Sequence, residues 1–262
     1  MISVNTNNKK NNEIDIQRNF YKKISDQYSK GDPKEAFFAS FEHSDHLLPL
    51  SLLAGLTNYL EIKSILDLGA GNGRSIRYLK KVCPKIKIIG IEPVKEVREI
   101  AYSQGISKEE LIDGDATKLD FRNSEFDLVC EFGILHHIKN NKLVVDEMLR
   151  VSKKAIFISD NNNLGEGSKV KRSIKQILYA LRLWKLVDFI KTKGKGYTLS
   201  EGDGLAYSYS VFRNYRQIKS SCKSVHIINT KDADINLYRT ATHIALLGIK
   251  WTFGMDLGFE VL

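Results

Sequence analysis

The chain has few cysteines, few prolines and no long apolar run. Its three cysteines, Cys83, Cys130 and Cys222, lie far apart and form no C-x-x-C pair. That spacing argues against a disulfide framework and a cysteine zinc site, and makes a reducing cytosol the expected compartment. No apolar stretch approaches the roughly 18 residues that a membrane-spanning helix needs. The opening MISVNTNNKKNNEIDIQRNF is rich in Asn and Lys and lacks an apolar centre, so it does not read as a signal peptide. The phosphate loop G-x-x-x-x-G-K-[ST] is also missing.

What is present is ordinary for a globular chain of 262 residues: 42% hydrophobic and 27% charged residues exclude wholesale disorder. Forty Lys and Arg against 31 Asp and Glu leave a formal charge of +9, which admits an anionic partner. Residues 169–195 hold nine of the basic residues and one acid, a net +8, so the remaining chain carries only +1.

Along the chain, residues 14–62 show helical spacing, interrupted at Gly31-Asp32-Pro33. From residue 64 the texture changes. Short apolar strands at 64–68, 86–91, 111–113, 126–131 and 155–159 alternate with helices at 74–81, 94–103 and 142–151. This alternation predicts βαβ units and a parallel sheet covered on both faces. Residues 161–221 break the pattern, and strand texture returns at 225–228 and 242–250.

Between the first strand and its helix stands Asp67-Leu68-Gly69-Ala70-Gly71-Asn72-Gly73. Glycines there let the backbone approach a ligand, and the N–H groups at a helix start favour an anionic group. The dinucleotide fingerprint G-x-G-x-x-G fails, because Arg74 stands where a small residue is needed. Glu92, 19 positions beyond Gly73, closes the second strand, where an acid can accept from both hydroxyls of a ribose.

The pattern D-x-G-x-G-x-G resembles the first motif of the class I S-adenosylmethionine-dependent methyltransferases. Asp113-Gly114-Asp115-Ala116 resembles that family's third-strand segment. The run Phe126 to Ile138, with its His136-His137 pair, resembles the fourth-strand motif, and Arg150 to Ala155 the join to strand five. The likeness covers residues ~60–160 in order, plus a closing strand pair at 224–250, which outweighs any single motif.

The resemblance implies an α/β fold: a doubly wound, seven-stranded, mainly parallel Rossmann-like sheet with its last strand antiparallel. It has N-terminal helices and a helical lid insertion. The expected division is 1–60 for the tail and capping helices, 61–160 for the cofactor core, 161–221 for the lid and 222–262 for the closing strands. S-adenosylmethionine is the implied cofactor, held by Asp67, Gly69, Ala70, Gly71, Gly73, Glu92, Pro93, Asp115, Ala116, Glu131 and Phe132. His136 and His137 are the implied catalytic pair, one of them serving as a base where the acceptor must lose a proton. The family's base-flipping run Asn/Asp-Pro-Pro-aromatic is replaced by Glu131-Phe132-Gly133-Ile134, and neither a Pro-Cys pair nor a C-x-x-x-C-x-x-C cluster exists. Nucleic acid is therefore not favoured. The expected acceptor is a small molecule or glycan precursor, methylated at oxygen or nitrogen. The alternatives are an RNA or protein methyltransferase docking through 169–195, and a silent cofactor-binding module.

Within the insertion, Val170, Ile174, Ile177, Leu178, Leu181 and Trp184 recur at helical spacing. One reading packs this face on the core with the lysines in solvent. The other lets the basic face meet an anionic, lipid-linked or membrane-borne substrate, adding peripheral membrane contact to the cytoplasmic assignment. Glycines and tyrosines from 197 to 215 suit a mobile loop over a polar ligand, with Tyr197, Asp203, Tyr207 and Tyr209 as substrate contacts. Glu42, His43, Asp45 and His46 form a local polar cluster that reads as capping or packing, and no metal site is expected.

Overall fold

The computed structural model describes residues 15–24, 46–231 and 236–251. Two helices come first: α1 at 15–24 and α2 at Leu47–Tyr59. The interruption at Gly31-Asp32-Pro33, and Glu42, His43 and Asp45 of the polar cluster, lie outside the described residues.

The alternating segment follows the expected order: β1 (Ser64–Leu68), α3 (Arg74–Val82), β2 (Lys87–Ile91), α4 (Lys95–Ser103), β3 (Leu111–Ile112), β4 (Phe126–Phe132), α5 (Asn141–Val151) and β5 (Ser152–Asn161). The insertion supplies α6 (Lys169–Ala180), α7 (Trp184–Lys191), a hairpin of β6 (Tyr197–Ser200) and β7 (Gly204–Tyr207), and α8 (Tyr215–Ser221). The closing strands are β8 (Cys222–Asn229) and β9 (His243–Lys250). The large sheet has seven strands in the order β3-β2-β1-β4-β5-β9-β8, with β3, β2, β1, β4 and β5 paired in parallel and β9 antiparallel to both of its neighbours, β5 and β8. This is the expected doubly wound, mainly parallel sheet.

Strand alternation splits the core between the two faces. Leu66, Leu68, Val129, Ile156, Ile158 and Leu246 pack with Val144, Val145 and Met148 of α5 and Ile218 of α8. Ile65, Leu128, Phe157 and Leu247 pack on the other face with Leu50 and Leu53 of α2 and Ile76 and Leu79 of α3. Burying each such side chain contributes about 1.5–3 kcal/mol.

Register then positions the site. Leu68 pairs with Ile91 of β2 and with Glu131 of β4, so Gly69, Glu92 and Phe132 leave the sheet at one rim. Gly90 lets this rim close up. A Cβ there would stand 2.7 Å from both Ala70 Cβ and Ile76 Cδ1 and 3.1 Å from Leu111 Cδ1. The absent side chain is what allows the glycine loop and α3 to sit down on β2.

Two readings of the insertion change. The stretch expected as a mobile loop forms the antiparallel β6–β7 hairpin, Tyr197 pairing with Tyr207, followed by a 3₁₀ turn at Val211–Asn214. The apolar face of α6 does not pack on the core: no residue of α6 is buried, and Val170, Ile174 and Ile177 are exposed. Only Trp184 of α7 is buried, while Leu186, Phe189 and Ile190 are exposed. The pair attaches instead by polar-tipped side chains. Tyr179 stacks on Trp184 at 5.2 Å, the Trp184 indole donates to Ser208 Oγ at 3.1 Å, and Lys175 donates to the Asn163 carbonyl at 2.6 Å.

Two substitutions test this packing. Leu128→Ala should lose about 2–5 kcal/mol of unfolding free energy through a cavity in the central strand. Gly90→Ala should lose about 1–3 kcal/mol through overpacking. Urea denaturation measures both, and a neutral Gly90→Ala would contradict the close approach.

Candidate functional site

The rim opens into a cavity of about 880 Å³, within the ordinary size of a small-molecule site. Its floor is the glycine loop. Gly69, Gly71 and Gly73 all hold positive φ, at 64°, 56° and 74°. L side chains rarely adopt that conformation, which makes this tight exit from β1 a glycine position three times over. A Cβ on Gly69 would strike Ile134 and one on Gly73 would come within 2.9 Å of Ile106, whereas at Gly71 there is open space. Gly71 therefore leaves bare backbone facing the cavity, which a ligand can approach closely.

Acids border the loop on both sides. Asp67 accepts a very short hydrogen bond from Ser75 Oγ, and burial lifts its carboxyl to about 7. Glu92 accepts from the backbone N–H groups of Val94 at 2.9 Å and Gly71 at 3.2 Å, tying the second strand to the loop. Burial outweighs those bonds and lifts Glu92 to about 7 as well. Asp115 takes both the N–H and the hydroxyl of Thr117 at 2.8 Å, which fixes the turn beyond β3.

The far wall is a histidine–carboxylate cluster. The buried Asp160 accepts the N–H groups of Leu135 at 2.8 Å, His136 at 3.3 Å and Asn161 at 2.5 Å, and it also meets His136 Nδ1 at 2.6 Å. His136 Nε2 reaches Asp203 at 3.3 Å. Burial alone would lower this imidazole, but the charges of Asp160 and Asp203 and their bonds to the ring prevail and lift it to about 10. His137 behaves oppositely. Burial and the neighbouring His136 charge lower it to about 4, so it is neutral at pH 7. It donates Nδ1–H to the Leu205 carbonyl at 2.7 Å, leaving Nε2 as an acceptor 3.3 Å from the Tyr21 hydroxyl. Burial pushes the Tyr21 phenol upward, with Asp203 and Glu92 adding to it, so it stays a hydroxyl donor.

Of the residues expected at the cofactor, Asp67, Gly69, Ala70, Gly71, Glu92, Pro93, Asp115, Ala116 and Phe132 line the cavity, as do His136, His137, Asp203 and Tyr207. Gly73 instead precedes α3 at the base of the loop. Glu131 is off the cavity: fully buried, it accepts the N–H groups of Ile134 at 2.9 Å and Ser159 at 3.1 Å, a brace between strand ends. Tyr209 is also turned inward, its hydroxyl on Asn214 at 3.0 Å, and Tyr197 packs edge-on against Tyr207 outside the cavity lining. Sequence reasoning missed Tyr21, Gln17, His46, His243 and Arg74, which all line the cavity. Arg74, the residue that breaks the dinucleotide fingerprint, was the available signal. Gln17 holds α1 to the hairpin through the Leu205 N–H at 2.6 Å.

The glycine loop, the ribose-type acid Glu92 and the turn at Asp115 fit an adenosine bearing a charged tail. Residues 66–158 match the family model described as methyltransferase domain. Norajmaline N-methyltransferase of Rauvolfia serpentina is 32% identical over 94 residues, 34% of this chain and 32% of that protein. Demethylmenaquinone methyltransferase of Thermotoga maritima is 30% identical over 92 residues, 35% of this chain and 40% of that protein. The chain thus spans about a third of the length of the curated relatives it matches. Magnesium protoporphyrin IX methyltransferase of Synechocystis PCC 6803, solved with bound SAH, shares the fold. Its TM-score is 0.52 at 9% identity, over 88% of this chain and all of that one.

The lifted Glu92 carboxyl has a measurable consequence. Its folded value near 7 exceeds the unfolded value near 4.3, so the fold favours the protonated acid. That contribution is complete below the unfolded value and is lost as pH rises through about 7. Against Glu92→Gln, whose oxygen retains one acceptor position, the unliganded wild type should be equally stable at pH 4.5. It should be less stable by on the order of 2 kcal/mol at pH 8. Denaturation at the two pH values measures the difference, and a pH-independent gap would contradict the assignment.

Proposed function

We propose that this chain, whose residues 66–158 match the family model described as methyltransferase domain, transfers a methyl group from S-adenosylmethionine to a small-molecule acceptor. The observation that carries it is the shared rim. The glycine loop, Glu92 and the Asp115 turn converge on one side of a cavity whose other side is the His136–His137–Asp203 cluster. When bound, the cofactor supplies an electrophilic methyl on a sulfonium, ready for in-line displacement. Gly69, Ala70 and Gly71 would hold it through bare backbone, and the Glu92 carboxylate would accept its ribose hydroxyls. Asp115 and Ala116 would border its base, and Phe132 closes the cavity wall at the end of β4. The protein's part is alignment of the two reactants, the largest contribution a site of this kind makes.

On the acceptor side, His136 already carries a proton at pH 7 and cannot take another. Its role is to hold Asp203 in place. His137 Nε2, neutral and aimed at the Tyr21 hydroxyl, is the group able to receive a proton from an acceptor. Calorimetry should show one molecule of S-adenosylmethionine bound, with affinity at least tenfold lower in Glu92→Gln, whose lost charge weakens the ribose bonds by about 1.5–3 kcal/mol. Methyl-labelled cofactor incubated with cell extract should label the small-molecule pool. Binding with no labelled pool would favour a silent module, label in RNA or protein would move the acceptor there, and absence of binding would end the reading.

A second reading concerns where the acceptor resides. The exposed Val170, Ile174, Ile177, Leu186, Phe189 and Ile190 lie within the segment of net charge +8. Apolar side chains among clustered lysines suit an anionic lipid surface. No helix among the described residues is long and apolar enough to cross a membrane, so the contact would be interfacial. Vesicles containing phosphatidylserine should sediment the protein, and neutral phosphatidylcholine vesicles should not. Replacing Ile174, Ile177 and Phe189 by Ser should release it, and unchanged sedimentation would overturn this reading.

A further inference from the structure

We propose that His136, His137 and Asp203 form a divalent transition-metal site in the acceptor half of the cavity. The sequence offers no ligand spacing for this, because Asp203 stands 67 positions from His136 and is brought in by the turn between β6 and β7. One ligand atom from each of the three residues lies within 4.8 Å of the others.

The first support is distance. His136 Nε2 lies 3.3 Å and His137 Nε2 3.5 Å from the Asp203 carboxylate oxygens. Ligand atoms each about 2.0–2.1 Å from a tetrahedral zinc stand about 3.4 Å apart. Each histidine is therefore already spaced from Asp203 as a neighbour on a coordination shell.

The second support is the outer layer. A metal-bound histidine typically donates its remaining ring N–H to a carboxylate or a backbone carbonyl, which fixes the tautomer and the ring. Both histidines have that partner on Nδ1: Asp160 Oδ1 at 2.6 Å for His136, and the Leu205 carbonyl at 2.7 Å for His137. Asp160 is itself held by three backbone N–H groups, from Leu135, His136 and Asn161. Both Nε2 atoms consequently face Asp203, and a metal there would take the His137 lone pair from the Tyr21 hydroxyl 3.3 Å away, replacing the proton-accepting role of that nitrogen.

The third support is charge. The imidazole centroids are 3.9 Å apart, and Asp160 and Asp203 flank them. A dication between the two rings and Asp203 answers both carboxylates and uses the Nε2 lone pairs of both rings. Two imidazoles and one carboxylate match zinc, cobalt, manganese or iron better than magnesium or calcium, which prefer all-oxygen sites.

Zinc or its neighbours would keep at least one open position toward the cavity, where an acceptor oxygen can bind and become more acidic. This consequence rests on the methyl-transfer reading and narrows its acceptor to an oxygen nucleophile. The metal site itself does not depend on that reading.

The full chain, stripped with chelator and without S-adenosylmethionine, is titrated with Zn²⁺, Co²⁺ and Mg²⁺ by calorimetry. Cobalt is followed by its visible absorption. One equivalent of Zn²⁺ or Co²⁺ should bind, cobalt should show the intense bands of a four- or five-coordinate site, and Mg²⁺ should not compete. Asp203→Ala and His137→Ala should each weaken Zn²⁺ at least tenfold, and Asp160→Asn should do so by about 10–100-fold through the ring it orients. Asp203 is half exposed on a hairpin turn, so its variant tests the site even where a histidine variant fails to fold. Zn²⁺ binding that is absent, or undiminished in Asp203→Ala, would overturn the site. Titrating S-adenosylmethionine into the same stripped protein separates this failure from that of the methyl-transfer reading.

Discussion

The site depends on one buried carboxylate. Asp160 is fully enclosed at the end of β5 and keeps its charge because backbone N–H groups and the His136 ring surround it. His136 overcomes the effect of burial and holds this acid below the usual carboxylate range. The same bonds fasten the turn after β4 to the end of β5, which sets where both histidines stand. An unpaired charge at that depth would cost several kcal/mol, so the pair is formed as a unit or not at all.

Around that pair the cavity carries acids beside the cations Arg18, Arg74 and Lys139. Asp67, Glu92, Asp115 and Asp203 all line it, while a net +8 of the +9 lies in residues 169–195. The two charge populations do different physical work. Burial favours the neutral form of Asp67 and Glu92, and a cationic ligand would recover their charge, whereas the His136 ring holds Asp203 below the usual carboxylate range. The lysines of α6 and α7 other than Lys175 are exposed and act at long range, within a Debye length of about 8 Å at physiological salt.

The sheet was legible because each strand is a short local apolar run, and the cofactor side because its residues sit at strand ends in chain order. Glu131 shows where that reasoning stops. An acid at the end of β4 looks the same in sequence whether it faces the cavity or braces β5, and only the register with Ser159 decides. Tyr209 likewise carries no mark of facing Asn214. The face of α6 misled for a different reason. Helical periodicity reports amphipathicity and not what covers the apolar side. Tyr21 and Gln17 were invisible because α1 lies far from the hairpin in sequence.

That last separation has a kinetic meaning. Gln17 bonds to residues 186 and 188 positions later, the Asp203 carbonyl and the Leu205 N–H. Contacts of such span close late, because the loop entropy must be met before they stabilise anything. In a chain made from its N-terminus, α1 precedes both the parallel sheet and its own partners in the hairpin. The glycine-loop side of the cavity can therefore mature while the opposite side is still missing a wall, and a chain stopped before the hairpin would keep the floor of its cavity without the wall that closes it.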